Sequence, residues 1–90
     1  MTRAHWARAN RVLWRRTAQG VVALGDDATE PVMITGAGVL LWELLEEPIA
    51  PGELSELLGE IHGMAPATIL EEITPVVEEL LRLGVLTSCR

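Results

Sequence analysis

TGAGVLLWELLEEP, Thr35 to Pro48, decides how this chain folds. Its opening, with Gly36 and Gly38 on either side of Ala37, has the form of a phosphate-binding turn. A phosphate loop needs a longer glycine-rich run and a following Lys-Ser or Lys-Thr, so that backbone N–H groups and an ammonium converge on the anion. Val39-Leu40 follows here instead. A lone Gly-x-Gly is a weak signal, and the rest of the stretch reads as structure. Val39, Leu40, Leu41, Trp42, Leu44 and Leu45 surround a single charge, Glu43. At about 100° per residue, these apolar side chains point most ways round a helix, and such a helix is buried. The sequence predicts a helix N-capped by Thr35 and ended by Pro48, with its glycines allowing close approach to a sheet.

Strands precede this helix and helices follow it. Arg11 to Arg16 has β-branched and aromatic residues with arginines at its edges, and Gly20 to Gly25 is a second strand between glycines. After a polar loop, Pro31 opens a third strand, Val32-Met33-Ile34. Proline donates nothing to a ladder, so this strand belongs at a sheet edge. The short connections imply an antiparallel meander. Pro51 and Pro66 each stand at a first helical position, where the missing N–H is harmless. The second helix runs from Pro51 to about Ile61, with Leu54, Leu57, Leu58 and Ile61 on one face and Gly63 as its cap. The third carries Ile69, Ile73, Val76, Val77, Leu80 and Leu83, and Pro75 inside it predicts a kink or two abutting helices. Gly84 stops it, and Val85-Leu86-Thr87 is a candidate terminal strand. The fold class is α+β, a three-stranded antiparallel sheet followed by three helices.

Composition excludes several functions. Ninety residues allow one domain with one modest core. The charges are segregated: arginines at 3, 8, 11, 15 and 16 precede any acid, and no Lys or Arg occurs from Asp26 to Glu79. A duplex-binding surface needs cations to displace counterions, so the helical part should repel nucleic acid and suit a basic partner or a folded-back basic strand. Residues 1–10 read as a basic arm outside a domain spanning 11–87, possible disorder included; Thr2 to Asn10 lacks the apolar face of a membrane-surface helix. With no signal peptide, no apolar span and one cysteine, the expected location is the cytoplasm.

Candidate chemistry is thin. His5 and His62 have no second metal ligand at helical or hairpin spacing, and Cys89 has no evident base. Glu46-Glu47, Glu71-Glu72 and Glu78-Glu79 are adjacent pairs, which diverge on a helix. No enzyme activity, metal or cofactor is expected. What remains is a binding module. An edge strand beside an amphipathic helix can accept a peptide as an extra strand, main-chain bonds supplying affinity and pockets supplying specificity. Val32, Met33 and Ile34 would be the docking strand, with Ile69, Ile73 and Val76 as floor and Glu72 at the rim. The same apolar residues could equally pack among themselves.

The order of Leu13-Trp14-Arg15-Arg16, Gly20 to Leu24, Thr35-Gly36-Ala37-Gly38 with Leu41-Trp42-Glu43-Leu44-Leu45, Glu53-Leu54, and Leu80 with Leu83-Gly84-Val85-Leu86 resembles the PqqD-like family. Its members are peptide chaperones, or leader-peptide recognition elements, for ribosomally made, post-translationally modified peptides. The resemblance covers roughly Arg11 to Thr87. It implies a winged-helix-like fold without enzyme activity, which binds a precursor's leader against the third strand and third helix. It also implies a modifying enzyme or leader peptidase as second partner. The groove so implied is Val32 to Ile34 with Ile69, Glu72, Ile73 and Val76. A monomer or weak homodimer is expected, binding neither nucleic acid nor membrane. The competing reading is a winged-helix nucleic-acid-binding or regulatory protein; an orphan subunit that completes a partner enzyme is a third.

Overall fold

Two short sheets and three helices make up the chain, described over residues 4–89 in a computed structural model. Arg3, expected in the basic arm, lies outside the described residues. The elements are β1 (His5–Arg8), β2 (Leu13–Arg16), β3 (Gly20–Leu24), β4 (Val32–Thr35), α1 (Ala37–Leu44), α2 (Pro51–His62), α3 (Pro66–Arg82) and β5 (Leu86–Cys89).

The predicted meander is present, with β2, β3 and β4 antiparallel in that order. Alternation along β3 sets its two faces: Val21 and Ala23 are buried under the helices, while Val22 and Leu24 are half-buried on the other side. Ile34 of β4 stands opposite Val21 and is buried with it. Leu41, Trp42 and Leu45 from the α1 segment, Leu54 from α2 and Val77 from α3 complete the centre of the core. Val39, Leu40 and Leu44 are half-buried, so α1 is covered on most sides, as its composition demands.

The start of α1 differs from expectation. Thr35 remains in β4, in register with Gly20, and the N-cap is Gly36, which makes no side-chain cap hydrogen bond. The chain turns from strand to helix through Gly36 at φ 59° and ψ −133°, a conformation that disfavours any residue with a Cβ. Gly38 has the different task foreseen for it: a Cβ there would lie 3.0 Å from Ile34 Cγ2. One glycine makes the turn and the other brings helix and sheet together.

Proline begins α2 and α3 as predicted, and Gly63 closes α2 in a left-handed conformation. Pro75 does not divide α3, which is one helix from Pro66 to Arg82. Pro75 and Glu71, whose carbonyl loses its usual N–H donor, are both exposed, so water can serve that carbonyl. Thr74 Oγ1 donates to Leu70 O at 2.6 Å on the turn before.

The N-terminal segment is the largest departure. Residues 5–8, expected within an arm outside the domain, form β1 and pair antiparallel with β5. Trp6 exchanges backbone bonds of 2.9 and 3.0 Å with Ile49, and Ala7 is buried. Arg8 explains why a basic segment folds inward. Its Nε and Nη2 donate to Trp42 O at 3.1 and 2.8 Å, and its guanidinium lies 4.5 Å from the Trp42 ring centroid and 4.7 Å from that of Trp14. Burial lowers the Arg8 pKa, and Glu43, 3.9 Å away, opposes that shift. Trp14 therefore packs on the core side of β2, edge-on to Trp42 with centroids 5.5 Å apart.

Candidate functional site

β4 ends the three-stranded sheet, and its second flank is unpaired among the described residues. The β2–β3 turn reveals which groups that flank presents. Thr17 and Gly20 exchange both backbone bonds, N–H to O, at 2.7 and 3.3 Å. In an antiparallel ladder, bonded and non-bonded pairs alternate. Stepping along the register, Gly20, Val22 and Leu24 direct their backbone groups toward β2, and Val21 and Ala23 direct theirs toward β4. Ile34 and Val32, opposite Val21 and Ala23, are thus bonded within the sheet. Met33, opposite Val22, points its N–H and C=O away from β3, and no backbone bond from another described segment reaches it.

That free flank borders a groove of about 740 Å³ between β4 and α3. β4 packs on α1, α3 packs on α2 and β5, and residues of both β4 and α3 line the gap. The volume falls within the range of ligand-binding clefts. All seven residues singled out in the sequence line it: Val32, Met33 and Ile34 on one side, and Ile69, Glu72, Ile73 and Val76 on the other. Ile69 is buried at the base, Ile73 half-buried, and Val76 and Met33 remain 46% and 49% exposed, too open for residues that merely fill a core.

Several lining residues escaped sequence reasoning. Leu41 and Leu58 extend the floor from α1 and α2, and His62 and Met64 flank the α2 cap. Leu41 and Leu58 read simply as core, because nothing in a periodicity tells which buried leucine also borders a cleft. Leu80 and Glu79 follow Val76 on α3 at helical spacing, a signal that could have extended the predicted wall.

The groove is apolar with an acidic rim. Glu72 and Glu79 line it, and no Lys or Arg among the described residues does. Arg82 Nε donates to Glu79 Oε1 at 3.1 Å, and this bonding holds the Glu79 carboxyl below the usual range. A second charged cluster lies on the far side of the sheet's core face, where Glu43 bridges Arg16 and Arg8. Hydrogen bonding from Arg16 lowers the Glu43 pKa. Among the described residues, no group of three or more His, Cys, Asp or Glu could hold a metal ion. Cys89 is a free, half-buried thiol in register with His5. No described helix is long and apolar enough to cross a membrane.

No protein-family model matches the chain, and no curated protein matches it. Among solved structures it is similar to the solution NMR structure of the PqqD truncation of PqqCD from Methylobacterium extorquens. That protein is described as a functional, stand-alone recognition element for ribosomally synthesized and post-translationally modified peptides (RiPPs). The TM-score is 0.72 at 19% identity, over 91% of this chain and 87% of that one. The two share an α+β fold with a three-stranded antiparallel sheet and three helices, so the chain is PqqD-like in architecture.

Proposed function

We propose that this chain is a non-catalytic RiPP recognition element. It binds the leader of a precursor peptide as an added strand on β4 and presents the remainder to a modifying enzyme or leader peptidase. The observation that carries this reading is the outward-facing Met33 backbone beside an apolar groove. The fold shared with the PqqD recognition element supports it. The binding unit is the whole described fold, β1 and β5 included, acting in the cytoplasm as a monomer or weak homodimer. Strand addition suits the site because a leader supplies its own N–H and C=O for Met33, while its side chains enter the cleft against Ile69, Ile73 and Val76.

Titration with the leader region of a precursor encoded beside this gene tests the reading. Amide resonances of Met33, Thr35 and the α3 wall should move, and calorimetry should give a single site. Perturbation elsewhere with β4 unmoved would count against it.

Nucleic-acid binding is the poorer reading for this fold. From Asp26 to Glu79 there is no cation, so the α2 and α3 surfaces carry glutamates against Arg82 alone. A phosphate backbone gains no counterion release there.

A further inference from the structure

We propose that the groove selects among leaders by charge: it takes an apolar-x-apolar segment flanked by Lys or Arg, and Glu72 is the residue that selects. This inference rests on the strand-docking reading above.

Register determines which side chains of a docked strand enter. The residue opposite Met33 shares its face of the sheet, away from the helices. Its two neighbours point the other way, into the groove, about 6.7 Å apart. They meet Ile69, Ile73 and Leu80, an apolar floor that gives a polar side chain no partner. The next inward positions lie beyond that floor, toward the rim.

The rim belongs to α3. Glu72, Val76 and Glu79 recur at helical spacing along one stripe. Arg82 already occupies Glu79, whereas Glu72 forms no ion pair among the described residues. Val76, one turn from Glu72, is exposed. A Lys or Arg suits this pair of residues: its aliphatic stem covers Val76 and its head reaches the Glu72 carboxylate. An acidic side chain there meets Glu72, and no Lys or Arg among the described lining residues offsets the repulsion.

The test uses three capped, dye-labelled peptides with a common Thr-Val-Thr-Val-Thr centre, flanked on both sides by Lys, Gln or Glu. Binding is read by fluorescence anisotropy, with the Met33 amide followed by NMR. The Lys peptide should bind about threefold tighter than the Gln peptide, the scale of an exposed ion pair, and the Glu peptide more weakly than either. At about 1 M salt, where the Debye length is about 3 Å, the order should collapse. Glu72→Gln should bring the Lys and Gln peptides to equal affinity, and Glu53→Gln on α2, away from the groove, should retain the preference. Equal affinities with the Met33 amide still shifting overturn charge selection and leave strand docking standing. A preference that survives Glu72→Gln overturns the assignment to that residue. If no peptide binds or moves Met33, or if β4 pairs with a second copy instead, the docking reading falls and this one with it.

Discussion

Met33 stands opposite Val22 across the β3–β4 ladder without sharing a backbone bond with it, and so the Met33 amide faces outward. Its neighbour Ile34, opposite Val21, is bonded inward and buried. Adjacent residues of one strand therefore have opposite duties, one toward the sheet and one toward whatever docks. Proline substitution separates them, because proline deletes a single N–H. Met33→Pro should abolish leader binding with little loss of stability. Ile34→Pro should unfold the protein or destabilise it strongly, since it deletes an N–H bonded inside the ladder of a buried residue, read by urea titration. Equal destabilisation by the two would refute the ladder assignment.

Hydrogen exchange reads the same geometry without mutation. In the free protein the Met33 amide should exchange fast beside slow Val32 and Ile34. A bound leader should slow Met33 selectively, since exchange of a bonded amide requires opening of the structure.

The two glycines of the Thr35 to Gly38 turn should respond differently to alanine. Gly36→Ala forces a Cβ into a positive-φ, negative-ψ conformation that glycine alone adopts readily, and should destabilise by about 1–3 kcal/mol. Gly38→Ala places a Cβ 3.0 Å from Ile34 Cγ2, the short branch methyl of a buried side chain, so a shift of a few tenths of an ångström between helix and sheet must relieve it. The helical gain of up to about 1 kcal/mol from losing a glycine offsets that crowding. Thermal melts of the two variants should show a drop for the first and near neutrality for the second.

Arg8 ties β1 to the core through Trp42. Arg8→Ala removes two hydrogen bonds to the Trp42 carbonyl and a cation seated against two indoles that meet edge-on. A loss of about 1–3 kcal/mol is expected in denaturant titration. Arg8→Lys should recover only part of it, because an ammonium lacks the flat fork that stacks and donates at once.

The Glu43 carboxyl is held below its ordinary pKa, first by its hydrogen bond from Arg16. A carboxylate depressed in the folded state stabilises at pH above its unfolded value, roughly 4.3, and that contribution is lost as pH falls through the folded value. The melting temperature should therefore fall on acidification below pH about 4.3, and Glu43→Gln should flatten that limb. Glu79, depressed by Arg82, contributes in the same direction, so the flattening should be partial.

Much of this protein was legible in its residues alone. Periodicity, prolines and glycines yielded the strand meander, the three helices and their approximate ends, because these signals act within a few neighbours. The apolar circumference of Val39 to Leu45 marked a buried helix, and Ile69, Ile73 and Val76 at helical spacing on α3 marked one wall of the cleft. Tertiary structure decided what depends on distant partners. In the sequence Arg8 reads as part of a basic arm outside the domain; its place against Trp14 and Trp42 appears only once the strands and α1 are assembled. Pro75 reads as a kink or a junction of two helices; the helix runs on through it because its exposed position leaves the freed carbonyl open to water. Whether Met33 faces in or out followed from the Thr17–Gly20 turn, since a ladder's alternation is fixed where two strands first close. Local patterns specify elements; register and burial, which arise only on assembly, specify which of their atoms remain free to bind.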